Sequence, residues 1–139
     1  NLHTPALLTQ DYCPDIHERL MLYKRLANCE NEDDLRLLQE ELIDRYGILP
    51  SQSLALLETH RIRLAARALG IKKVDAGPAA IQLQFVPNPP IDPAKIIQLI
   101  QKERTIKLAG QDKLSWQKST ATLQERVSAL HQLFAKLAN

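Results

Sequence analysis

Apolar residues in the first half of the chain recur at the three-and-four spacing of helices. Ile16, Leu20, Tyr23 and Ala27 mark a first helix that opens at Pro14 and Asp15 and stops near Asn28–Cys29. A second helix starts at Asn31 or Glu32, with Asp33 and Asp34 at its positive dipole end. Its core stripe is Leu35, Leu38, Leu42 and Tyr46, with Ile43 at the edge. Gly47 stands where a helix ends in a left-handed cap, and Pro50 opens a third helix. Leu54, Leu57, Ile62, Leu64, Ala65, Ala68 and Leu69 give that helix a wide apolar face, closed by Gly70. Short connections predict three antiparallel helices in a small bundle.

The second half switches to alternation. Ile71–Ala76 and Ala80–Val86 read as strands around a Gly77-Pro78 turn, and Ile81, Leu83 and Phe85 alternate with Gln82 and Gln84. Pro87, Pro89, Pro90 and Pro93 make the next connection extended and stiff. Asp92 caps a short helix over 93–103, with Ile96, Ile97 and Ile100 inward. Thr105–Ala109 and Lys113–Lys118 are two more strands, with Ile106 and Leu108 on one face, as are Leu114 and Trp116. A last helix, over 120–137, carries an apolar stripe of Leu123, Val127, Leu130, Phe134 and Leu137. The expected class is therefore α+β: an N-terminal three-helix bundle, two β-hairpins joined by a helix into a small antiparallel sheet, and a C-terminal helix. Residues 1–14 form an N-terminal arm, 15–70 the helical part and 71–139 the mixed part of a single domain, 1–139.

With 45% hydrophobic and 24% charged residues, the 139-residue chain has the balance of an ordinary globular domain. A net charge of +2 is too even for a dedicated nucleic-acid arm, and no apolar run approaches the ~20 residues of a membrane span. Asn rather than Met stands first and no leader follows, so the chain reads as a fragment of a longer protein. Cys13 and Cys29 are too few for a disulfide framework and fit a reduced, cytosolic setting. Charge is uneven: residues 1–69 hold 8 basic and 11 acidic side chains, residues 70–139 hold 10 and 5.

Candidate chemistry is sparse. Gly47, Gly70, Gly77 and Gly110 each sit at an element end, and none is grouped into a phosphate loop. His3, His17, His60 and His131 are dispersed and read as surface residues. The two cysteines lack the spacing of a zinc or redox pair, and no Gly-x-Ser-x-Gly elbow occurs. The expectation is no catalytic residue, no cofactor and no metal site in this chain.

The second helix carries a different signal. Turned at about 100° per residue, Leu37, Glu41 and Asp44 fall opposite the core stripe, with Arg45 on the boundary. Glu41 and Arg45 are spaced to pair along the helix. An apolar centre rimmed by both charge signs suits a docking patch, although a solvated face with one stray leucine is common. The third helix has a comparable back face of Leu56, His60, Arg63 and Arg67. Arg61 points to that helix's apolar side, where it either snorkels to an edge, the favoured reading, or needs a partner.

Three runs carry a family resemblance. Asp11-Tyr12-Cys13-Pro14-Asp15 with Arg19-Leu20 and Leu22–Ala27 is one. Glu41-Leu42-Ile43-Asp44-Arg45-Tyr46-Gly47 with Pro50 is another, and Ala65–Ile71, ending Leu69-Gly70-Ile71, continues it. Together they resemble the C-terminal domain of the bacterial transcription-repair coupling factors, the Mfd family, over nearly the whole chain. The resemblance implies a much longer, cytoplasmic bacterial parent: an ATP-driven translocase on double-stranded DNA that displaces stalled RNA polymerase and recruits excision repair through UvrA. ATP and Mg would belong to the motor upstream, which leaves this chain non-enzymatic. The resemblance further implies that the domain folds back on the parent's UvrB-like module and masks its UvrA-binding surface until polymerase is engaged. Glu41, Asp44 and Arg45, with Leu37 beside them, are the expected protein-interface residues, and the isolated chain is expected to be a monomer.

The alternative is a nucleic-acid-binding module in the basic half, with Lys107, Lys113 and Lys118 on strands able to meet phosphates. Against it, the outward face holds Gln82, Gln84, Lys107, Ser115 and Gln117, and Phe85 and Trp116 fall inward, leaving no aromatic platform.

Overall fold

The computed structural model describes residues 1–138. Its elements run α1 (Ile16–Asn28), α2 (Glu32–Tyr46), α3 (Ser51–Ala68), β1 (Ile71–Ala76), β2 (Ala80–Phe85), α4 (Pro93–Lys102), β3 (Ile106–Leu108), β4 (Lys113–Gln117) and α5 (Leu123–Leu137). The class is α+β. Packing divides the chain into two compact units, Thr4–Leu64 and a second made of Asn1–His3 with Ala65 onward. The division falls inside α3 rather than at Gly70, and the first three residues belong with the sheet.

In the helical unit, local signals place the helix ends. Asp15 caps α1 by accepting from the backbone N–H of His17 and Glu18, so Pro14 precedes the helix instead of opening it. Asn31 caps α2 through Asp34 N–H, and Gly47, at φ +90°, ends it. The core gathers Leu22, Leu26, Cys29, Leu35, Leu38, Leu42, Leu56 and Leu57 around Leu8 and Cys13 of the N-terminal arm. The arm is pinned by Leu7 N–H to Gln52 O (3.1 Å), Ser53 Oγ to Leu7 O (3.1 Å) and Tyr23 OH, which accepts from Leu8 N–H (2.8 Å).

Two stripes differ from expectation. On α1, Ile16 and Leu20 are 58% and 60% exposed and Ala27 is exposed, while Leu22, Leu26 and Cys29 are buried. This helix is apolar on more than one side, and the side that enters the core is the one flanked by Glu18 and Arg25, whose charges find partners on α2. On α3, Leu56 is buried instead of standing on the back face, and Ala68 is exposed.

The second unit is a four-stranded antiparallel sheet of order β1-β2-β4-β3. Each hairpin pairs locally, and β2 joins β4 through Ile81↔Trp116 and Leu83↔Leu114. Ile81, Leu83, Phe85, Ile106, Leu114 and Trp116 are buried, as are Ala129, Leu130, Leu133, Phe134 and Leu137 of α5. On α4 the buried residue is Leu99; Ile96 and Ile100 are half-buried, and Ile97, expected inward, is 55% exposed. Leu108 shares its strand face with Ile106 but lies 58% exposed, because α4 covers only part of this short edge strand.

Gly70 is conformationally required. Its φ is +72°, and a Cβ there would come within 2.7 Å of Pro90 Cδ and 2.9 Å of Pro89 Cβ. Its carbonyl accepts from Val86 N–H at 2.8 Å, tying the proline-rich connection to the end of α3. Asn1 lines the β1 edge, its carbonyl accepting from Ala76 N–H at 2.9 Å. Arg126, 5% exposed, donates to Leu2 O (2.9 Å) and Thr120 O (3.2 Å), a buried cation unanticipated from the stripe on α5.

Candidate protein interface on the α1–α2 face

Charge pairs bind α1 to α2 along one edge. Arg25 Nη1 meets Glu41 Oε2 at 2.5 Å and Nη2 meets Oε1 at 2.9 Å, a bidentate fork. One turn further along α2, Arg45 Nη2 donates to Glu18 Oε1 at 3.0 Å and Tyr46 OH to Glu18 Oε2 at 2.5 Å. The Arg45 guanidinium also lies 5.1 Å from the centre of the Tyr46 ring, which tilts against Tyr12. Tyr12 OH closes the end of α2 by donating to Gly47 O at 2.7 Å, with Leu42 O 3.1 Å from the same hydroxyl. The Arg25 fork holds the Glu41 carboxyl below its usual range, and the hydrogen bond to Glu18 pushes the Tyr46 phenol up.

The expected pairing of Glu41 with Arg45 along α2 is replaced by two cross-helix pairs. The reason is geometric: Arg25 approaches Glu41 face-on from the neighbouring helix and satisfies both oxygens, which a residue one turn along α2 does not do here. Leu37 is 56% exposed and Asp44 is exposed. Leu37 and Glu41 do come together: with Arg25 and Asn28 they line a shallow cleft of about 340 Å³ between the helices. Arg45 and Asp44 lie outside it.

Sequence reasoning missed Glu18 and Arg25. Their signal was available as sign complementarity, acid then base on α1 against acid then base on an antiparallel α2. Met21, 65% exposed, adds an apolar side chain on α1. Arg61 differs from expectation as well. Its side chain is 17% exposed and held by Glu32 (2.8 Å), Glu58 (2.6 Å) and Gln39 (3.1 Å), so it is partnered rather than snorkelling.

Other groups are quiet. Among the described residues no group of three or more His, Cys, Asp or Glu is placed to hold a metal ion. Cys13 and Cys29 are buried free thiols, and burial raises the Cys29 pKa. His60, expected at the surface, is half-buried, and desolvation lowers its pKa, with the Arg63 charge adding to it. Phe85 and Trp116 are 6% and 7% exposed, so the sheet offers neither as a stacking platform. No helix of the described residues is long and apolar enough to cross a membrane.

Residues 2–96, which include this whole face, match the family model of the TRCF domain. The chain belongs to the transcription-repair-coupling factor family. It is 33% identical over 98% of its length to the transcription-repair-coupling factor of Escherichia coli (strain K12), and 36% identical over 99% to that of Haemophilus influenzae. It spans 12% of the length of each of these relatives. A crystal structure of the C-terminal domain of transcription-repair coupling factor superposes with a TM-score of 0.80 at 22% identity, covering 98% of this chain and 88% of that one. The chain thus has the fold of the family's C-terminal domain, with Leu37, Glu41, Asp44 and Arg45 on α2 of its helical unit.

Proposed function

We propose that this chain is a non-catalytic regulatory domain of a transcription-coupled DNA repair translocase. In this reading it folds back on the UvrB-like module of the same parent and masks the UvrA-binding surface until RNA polymerase is engaged. The supporting observation is Leu37, 56% exposed on a cleft whose other wall is the Arg25–Glu41 pair. An apolar centre with a fixed polar rim is the anatomy of a reversible protein contact. The pairs to Glu18 and Arg25 hold Glu41 and Arg45 in place, so little side-chain entropy is lost on docking. The chain itself takes no cofactor; ATP and Mg serve the upstream motor, which tracks DNA in the bacterial cytoplasm. The isolated chain is a monomer without ATPase activity.

The test is made in the full-length parent. Leu37→Ala with Asp44→Ala removes exposed contacts and leaves both cross-helix ion pairs in place. Loss of about 1–3 kcal/mol of closure shifts the closed-to-open ratio roughly 5- to 150-fold and raises UvrA affinity accordingly. UvrA binding identical to that of the unmodified parent, with equal melting of both, overturns the proposal.

A further inference from the structure

The second unit holds a groove unrelated to the α1–α2 face. It has a volume of about 840 Å³ and runs between the proline-rich connection, α4 and the β3–β4 hairpin. Pro87, Pro89, Ile96 and Leu108 supply apolar wall. Leu108 is 58% exposed although it sits on β3, an outer strand of the sheet. Outer strands are normally protected by charge or by cover, and α4 leaves this leucine open. The walls are stiff: the prolines fix their own φ, and Gly70 anchors the connection through Val86. The groove is therefore preformed, which lowers the cost of filling it.

Its rim is cationic. Lys72 and Lys113 line it, and both act on the single rim carboxylate, Asp112, whose pKa they help to lower. Asp112 also accepts from Gln84 Nε2 at 3.0 Å, which fixes the carboxylate and keeps it charged. Two ammonium groups against one carboxylate leave the rim with an excess of positive charge beside apolar wall, which complements a segment that carries carboxylates next to a large apolar side chain. The volume suits a few side chains rather than a helix or a whole domain.

We propose that this groove is a docking site for a short acidic segment of a partner protein, anchored by one large apolar side chain against Leu108 and steered by Lys72 and Lys113. The contact is independent of the α1–α2 face.

The test is selection of a phage-displayed library of random dodecapeptides on the full 139-residue chain, followed by fluorescence anisotropy with the enriched peptides. The expected peptides are net acidic with a large apolar residue. Their affinity falls about tenfold or more with Leu108→Asp and with Lys113→Glu, and declines as salt rises. Lys107→Glu, on the outward sheet face, serves as the control and changes it little. Circular dichroism melts keep the test interpretable; Leu108 and Lys113 are exposed, so both variants fold. Enrichment of neutral or basic peptides, or none above background, overturns the proposal. So does affinity indifferent to Leu108→Asp, or a thymidine dodecanucleotide that binds as tightly as the peptides, which would make the site a polyanion surface.

Discussion

Arg25 on α1 grips Glu41 on α2 through two parallel hydrogen bonds, 2.5 and 2.9 Å long. Glu41, a residue of the proposed docking face, is thus also part of the domain's own seam. Substitutions at Glu41 and Arg45 therefore break intramolecular pairs, whereas substitutions at Leu37 and Asp44 do not.

A double-mutant cycle of Arg25→Ala and Glu41→Ala should return a coupling of about 0.5 kcal/mol, small because both side chains are well exposed and screened. Because the folded-state pKa of Glu41 is depressed, its contribution is complete above the ordinary carboxylate range. It is lost as pH falls through the folded value. Urea melts at neutral pH and near pH 3 measure this; a coupling that grows in acid contradicts the pairing.

Leu37→Ala and Asp44→Ala should each change the stability of the chain by no more than about 0.5 kcal/mol, as exposed positions do. The triple change of Glu41, Asp44 and Arg45 to alanine should cost more, because it breaks both pairs to α1. Equal melting of the triple and double variants would show that those pairs contribute nothing.

Leu130→Ala should destabilise the chain by about 2–5 kcal/mol. Leu130 is fully buried at the middle of α5, and removing its branch leaves a cavity. Denaturant melts measure the loss.

Arg126→Ala should cost about 2–4 kcal/mol, because Leu2 O and Thr120 O lose a charged donor in a buried setting. The Asn1–His3 segment should also become the first site of limited proteolysis. Lysine at this position should restore only part of the stability, since it lacks the planar fork. Full recovery with lysine would mean that charge alone suffices.

Helix and strand positions were legible because they depend on local chemistry. Asp92 caps α4 through Ala94 N–H, Gly47 ends α2, alternation placed β2 and β4, and the Gly77-Pro78 turn placed β1 beside β2. The sequence by itself therefore determined the element order, the α+β class and the exposed face of α2 that holds Leu37 and Asp44. Tertiary structure decided which apolar side of α1 went inside. Ile16 with Leu20 and Leu22 with Leu26 are both apolar stripes at helical spacing, and it is Leu22 with Leu26 that packs into the apolar cluster with Leu35, Leu38 and Leu42. It also decided that Glu41 answers Arg25 and Arg45 answers Glu18, that Arg61 is shared by Glu32, Glu58 and Gln39, and that Arg126 reaches across 124 positions to Leu2 O. Periodicity records which side chains avoid water, but a charge chooses its partner by distance in space, and that distance exists only once the chain has folded.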